Sequence, residues 1–464
     1  MDEENIKSFH SKGTMASYGF GQFLTEIFSM AFSAFSFFFY ESEIGLNVWL
    51  VSLGYIIFAV WNAFNDPLVG YLTERPFKFT EKWGRRFPWM LLGGFPWGLS
   101  YMLIFMPPQV DPTGGAWVLF AWLVITTCLF DLFGSLFNVN YVALFPNKFR
   151  SSEERRQANG ISIVIGIIGT VSGSLVPPLL ITFGVLQSYV VQGVVIFLIA
   201  IIVVLLAIPG CRDDQMSVQK YLATFERDKD RASFFQLFKT TLKQKNFIAY
   251  VLIVFLYQVN NKLMIASIPY LVRFLLKMEA AIITVIMAFF LIAVLISTPI
   301  WVKIAGKTQN NRKIFLIAGV LLTIFTLPLY FINTVLGFII GMFIWGTAVG
   351  GFWVMQMPIF GDVMDEAVIE TQKREEGMYS GVHIFFNRLS VAVQATMFAL
   401  VHSLTGFVEG AESQSALAIV GIKIHFALLP MAVLLIGVLI FWWLYDLTPE
   451  KVKENQLKLR EMKI

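Results

Sequence analysis

The chain has 464 residues, of which 57% are hydrophobic, 16% aromatic and only 14% charged. Soluble domains carry about 25% charged residues, so this composition excludes a soluble protein and points to a polytopic membrane protein. The net charge of +4 is small as a total, and the two cysteines, Cys128 and Cys211, give no disulfide framework.

The N-terminus carries Asp2, Glu3 and Glu4 in place of the basic region of a signal peptide. A spanning helix needs roughly 20 apolar residues. About twelve such runs occur, near 17–40, 46–72, 88–107, 116–145, 159–182, 187–209, 246–275, 280–303, 313–333, 335–360, 378–405 and 416–445. None alternates with the period of a β-barrel strand, so all are predicted to be helices.

Lys and Arg set the orientation. They cluster after the second run (Arg75, Lys82, Arg85, Arg86), the fourth (Lys148, Arg155, Arg156), the eighth (Lys303, Lys307, Arg312, Lys313) and in the tail. The alternate connections at 41–46, 107–116 and 406–415 have none. Both termini are therefore expected in the cytoplasm, in a multi-pass protein of the plasma membrane. The longest hydrophilic stretch, 211–245, divides the chain and reads as a solvated cytoplasmic linker. It separates an N-terminal bundle at 1–210 from a C-terminal bundle and tail at 246–464.

Ionisable groups inside hydrocarbon are expensive, so they mark functional sites or one another's partners. Glu26 lies about halfway through the first run, with Gln22 and Ser29 on its face. Asn62, Asn65 and Asp66 fall at i, i+3 and i+4 near the end of the second, on one helical face. Oxygen ligands so arranged suit a small hard cation or a carboxyl that exchanges a proton. Asp131, Ser135 and Asn138 share a face of the fourth run. The seventh holds Lys262, the tenth Trp353, and the eleventh His383, Asn387 and Arg388. Lys262 and Arg388 would serve equally as neutralising partners of Glu26 or Asp131. Trp353 suits packing or stacking on a solute. His402 and His425 read as interfacial, and Gly350-Gly351 as close helix packing. Walker, kinase and hydrolase motifs are absent, so the chain is not expected to be an enzyme. Neither a resident cofactor nor a structural metal is expected.

The halves echo each other. Asp66-Pro67 and Thr298-Pro299 each end a run ahead of a basic loop. Glu153-Glu154-Arg155-Arg156 after the fourth run corresponds to Lys373-Arg374-Glu375-Glu376 after the tenth. Two repeats of about six spans are how major facilitator transporters are built, with the substrate near the bilayer midplane between the repeats.

Particular motifs sharpen this. Tyr18-Gly19-Phe20-Gly21, Asn65-Asp66-Pro67, Gly84-Arg85-Arg86-Phe87-Pro88-Trp89, Phe352-Trp353-Val354-Met355-Gln356 and Asp362-Val363-Met364-Asp365 resemble the glycoside–pentoside–hexuronide cation symporters, the melibiose permease-like branch of the major facilitator superfamily. The resemblance implies an all-α fold of twelve transmembrane helices in two pseudo-symmetric six-helix bundles. It implies uptake of a small polar solute, a sugar or glycoside, coupled to Na⁺ or H⁺. It puts the cation at Asn62, Asn65, Asp66 and Ser135, with Asn62 standing where the family pattern has an acid. Matching solute positions are Glu26, Asn138, Trp353, Asn387 and His383, with Arg388 next to Asn387; Lys262, a charge inside the seventh run, is expected among the solute contacts as well. Several polar positions of that pattern are apolar here, Val142 and Ile163 among them, which leaves a lysolipid or amphiphile symporter of the same fold as the second reading. A non-transporting receptor is the third, disfavoured by the charges inside the spans. Arg155 and Arg156 are expected to gate by pairing with Asp362 and Asp365. The partners are the bilayer and a small solute, without nucleic acid, and the chain is expected to act as a monomer.

Overall fold

A computed structural model describes residues 10–213, 243–372 and 376–462, apart from 74, 76, 78 and 150. Among the described residues every regular element is helical. The first group comprises α1 (Lys12–Phe38), α2 (Val48–Thr73), a short α3 (Thr80–Trp83), α4 (Phe87–Ile104), α5 (Ala116–Lys148), α6 (Ser152–Leu180) and α7 (Leu186–Cys211). The second comprises α8 (Lys245–Tyr270), α9 (Ala281–Thr308), α10 (Asn311–Thr326), α11 (Val335–Thr371), α12 (Glu376–Thr405), α13 (Ala416–Lys423), α14 (Leu429–Leu444) and a polar α15 (Pro449–Met462). Wide π turns extend α1 through Phe39–Glu43 and α8 through Leu271–Leu275, and a third at Ile424–Leu428 fuses α13 to α14. The chain divides into two compact units, the first built on α1 to α7 and the second on α8 to α15.

Eleven helical spans among the described residues are long and apolar enough to cross a membrane. The twelfth is α4, whose 18 residues interleave Gly, Pro and Trp with Leu and Met and so read as less apolar. The polar ends of several spans are also helical. The expected connection from Pro146 to Gly160 is a short junction, because α5 runs to Lys148 and α6 starts at Ser152. Ser151 caps α6, its Oγ accepting from the Glu154 N–H at 3.1 Å, so the acidic-basic motif is a first helical turn. Likewise Asp362 and Asp365 lie on α11, which continues to Thr371. A count of apolar residues stops where the hydrocarbon would stop, whereas the helix does not. Most of the expected linker (214–242) and Lys373–Glu375 lie outside the described residues. Cys211 is the buried last residue of α7 rather than part of a loop.

In the first unit α1 packs most closely against α6. A Cβ on Gly169 would meet the Phe23 carbonyl oxygen at 2.5 Å, and one on Gly173 the Ile27 carbonyl oxygen at 2.5 Å. Small residues let two backbones approach where apolar burial gives no drive between helices. In the second unit the same device seats α11 on α9, where a Cβ on Gly350 would strike Ser297 and one on Gly351 the Trp301 ring.

The two histidines are buried inside the second unit. His402 on α12 and His425 on the third π turn are 1% and 0% exposed. Their Nε2 atoms lie 3.0 Å apart, and His425 Nδ1 lies 2.6 Å from Ser267 Oγ on α8. The rings sit among Phe398, Phe407 and Tyr270. A π turn pushes its side chains out of the ordinary helical phase, which a count of position along the span does not reveal.

The α1–α6 contact gives a direct check. Gly173→Ala should destabilise the protein by about 1–3 kcal/mol, because backbone on α1 must move. Gly160→Ala, with nothing within 4 Å of its Cβ, should be neutral or raise stability by about 0.5–1 kcal/mol. Thermal unfolding in detergent compares the two.

Candidate cation and solute site

The first unit brings α2 and α5 together along two polar rungs. Asn62, Asn65, Asp131 and Ser135 are each less than a tenth exposed, and Asp66 is half-buried. Both oxygens of Asp131 are taken by amide N–H groups. Asn62 Nδ2 donates to Oδ1 in a short contact, and Asn65 Nδ2 donates to Oδ2 at 2.9 Å. One turn further, Ser135 Oγ donates to Asp66 Oδ1 at 2.5 Å. Asn62–Asp131 and Asp66–Ser135 are both 69 residues apart, so the helices run parallel and in register. The expected face of α2 is thus the face turned to α5.

Asn62 Oδ1 and Asn65 Oδ1 are buried and accept nothing. A buried acceptor without a donor costs about 1–3 kcal/mol, so two side by side call for a ligand. With Asp66 and Ser135 they offer carbonyl, carboxylate and hydroxyl oxygens, the donor set of a hard cation. Asp131 was absent from the four residues expected here. The signal was present: Asp131 and Ser135 have the same i, i+4 spacing as Asn62 and Asp66.

A second polar group lies on α1, α5 and α6. Glu26 accepts from Gln22 Nε2 at 2.8 Å and from Thr170 Oγ1 at 3.3 Å. Thr25 Oγ1 donates to Asn138 Oδ1 at 2.6 Å. Asn138 follows Ser135 by three residues on α5, so this group adjoins the α2–α5 rungs.

The motif glycines and aromatics position these helices. Tyr18 stacks on Tyr141 of α5, with centroids 4.3 Å apart, and its hydroxyl donates to the Tyr141 carbonyl. Gly84, with φ of 91°, lets the chain turn beneath Asp213. The Asp213 carboxylate accepts from the backbone N–H groups of Arg86 and Phe87 and caps α4. Burial pushes the Asp213 carboxyl above the usual range, against the pull of those two N–H groups. Arg86 reaches Asn140 on α5.

In the second unit Trp353 Nε1 donates to Tyr257 Oη at 2.5 Å, and the indole is 42% exposed. Lys262 on α8 and Arg388 on α12 are electrostatic neighbours. His383 sits against the rings of Tyr250 and Phe360, and Asn387 precedes Arg388 on the same helix. Of the expected gating residues, Arg155 and Asp362 have partners within their own units. Arg155 donates to the carbonyls of Phe149 and Pro146, and Asp362 accepts from Asn311. Arg156 is exposed on α6.

Comparison with known proteins then places the molecule. The profile of the MFS/sugar transport protein family matches residues 17–449. The chain belongs to this family. A sodium-dependent lysophosphatidylcholine symporter 1-A of Danio rerio is 20% identical over 86% of this chain and 79% of its own length. An isoprimeverose transporter of Lactiplantibacillus pentosus is 22% identical over 89% and 85%. An uncharacterised symporter of Synechocystis is 30% identical over 34% of this chain and 29% of its own length. Family and relatives are membrane transporters rather than enzymes, and the twelve-helix major facilitator fold expected from the sequence is borne out.

The hydroxyl on Asp66 offers a test within this family member. Ser135→Ala should weaken the apparent affinity for the coupling ion by about tenfold or more, the usual effect of removing a group that orients a ligand. Ser135→Thr, which keeps the hydroxyl, should stay close to the parent. Ion activation curves of uptake measure both.

Proposed function

We propose that the protein is a Na⁺-coupled symporter of a small polar, sugar-like solute, working by alternating access in the plasma membrane with both termini cytoplasmic. Asn62, Asn65, Asp66 and Ser135 hold the ion. Glu26 and Asn138 bind solute in the first unit, and Trp353, Lys262, His383, Asn387 and Arg388 in the second. The observation that carries this reading is the pair of orphaned amide oxygens beside Asp66, which a cation satisfies. Na⁺ is favoured over H⁺ because an amide carbonyl ligates a metal ion but does not titrate. Relatives described as sodium-dependent support the same choice. Binding of ion and solute together stabilises a closed state, and the ion gradient biases the cycle.

A lysolipid-like amphiphile is the second reading, and a specific observation favours it. Val142, one turn beyond Asn138 on α5, and Ile163, two turns before Thr170 on α6, are 67% and 52% exposed. They set apolar surface beside the Glu26 group, as an acyl chain would need. Relatives described as lysophosphatidylcholine symporters fit that reading.

Reconstitution into liposomes with imposed Na⁺ or proton gradients, and with labelled sugars and lysophosphatidylcholine, tests both. Na⁺-driven accumulation of a sugar is expected. Asp66→Asn should abolish accumulation while the protein stays monodisperse. Undiminished accumulation by that variant removes the ion-site assignment, and uptake of lysolipid alone selects the second reading.

A further inference from the structure

We propose that Asp131 is the second carboxylate of the cation site and the group that turns Asn62 and Asn65 into ligands. The inference rests on the ion-site reading above and adds a residue and a role to it. Asp131 is only 7% exposed, so water does not solvate its charge. Its two carboxylate oxygens are instead divided between two amides on α2.

This division fixes the amides. A carboxylate accepts hydrogen bonds and cannot donate them. Each asparagine must therefore present its NH₂ to Asp131, since the reverse rotamer would set carbonyl oxygen against carboxylate oxygen. The two Oδ1 atoms are consequently turned away from Asp131, and they are the atoms left buried without a donor. Neither can reclaim a partner by rotating without breaking a charge-assisted bond. Asp131 thus holds two carbonyl oxygens ready before the ion arrives, and ordering them costs nothing when it binds.

The charge contributes as well. Asp66 and Asp131 lie one turn apart on parallel helices, so an ion at the α2–α5 rungs meets two negative charges in a poorly screening interior. Monovalent Na⁺ or Li⁺ is the class of ligand this suits. Two charges and three neutral oxygen donors are fewer than a high-affinity Ca²⁺ loop supplies.

The experiment measures Na⁺ and Li⁺ binding directly on the purified full chain, from ²²Na⁺ binding and the Na⁺-induced change in tryptophan fluorescence, without solute. Thermal stability in ion-free buffer is the folding control. Asp131→Asn, isosteric but uncharged, should weaken Na⁺ binding by about tenfold or more while stability without the ion changes little. The double variant Asn62→Asp/Asp131→Asn carries the carboxylate across the contact to α2, restores the charge and keeps one amide against it. It should recover most of the lost affinity. A charge that served only to pack the helices would lower stability and leave ion affinity alone.

Asp131→Asn that binds Na⁺ like the parent, while Asp66→Asn does not, overturns the proposal and leaves the Asp66 site standing. A folded double variant no better than Asp131→Asn also overturns it. If Asp131→Asn fails to fold, the double variant decides alone, by binding Na⁺ or not. Parent-like binding by Asp66→Asn, or no Na⁺ or Li⁺ response in the parent, defeats the ion-site reading and this inference together.

Discussion

Asp66 and Asp131 are carboxylates on adjacent parallel helices inside an apolar bundle, and each needs hydrogen-bond donors where it stands. The protein supplies them from the facing helix: Ser135 of α5 for Asp66 of α2, and two α2 amides for Asp131 of α5. Each helix thus carries the acid that the other solvates. The contact is reciprocal and directional, so it fixes the rotation of α2 against α5 more narrowly than apolar packing would. The Glu26 group rests on that arrangement, because Asn138 takes its place from the same turn of α5 as Ser135.

The residues that carry the family resemblance have two kinds of work. Asp66 and Asn65 line the α2–α5 rungs themselves. Tyr18, Gly84 and Arg86 instead secure the ends of helices, through a stacked tyrosine pair, a turn with positive φ and a reach across to Asn140. Phe352, beside Trp353, stacks on Tyr257 at 4.2 Å, and Trp353 donates to that same tyrosine. A motif can therefore report the frame around a site as strongly as the site.

Much of the fold was legible because a hydrocarbon solvent forces the simplest pattern, a long apolar helix. The exceptions are physical. The ends of α5, α6 and α11 are helical but polar, since water tolerates a charged helix. The face of Asn62, Asn65 and Asp66 could be read from spacing within one helix. The contact of Asp131 with those amides could not, because weighing its charge against Lys262 and Arg388 looked for an opposite sign, whereas Asn62 and Asn65 are neutral and on another helix. The burial of His402 and His425 was missed for a related reason, as depth along a span does not tell which way a ring points.

The three π turns have a consequence for chain length. Each holds one residue more than an α-helix would use to advance the same distance. Where such a turn joins two helical stretches, as at Ile424–Leu428, it is a register joint: shortening the chain there by one residue returns the helix to its ordinary pitch and leaves the faces on either side as they were. Elsewhere in a span the same deletion would swing every later side chain by about 100°. That joint carries a histidine that meets a second histidine, so there the spare residue has become one the bundle would miss.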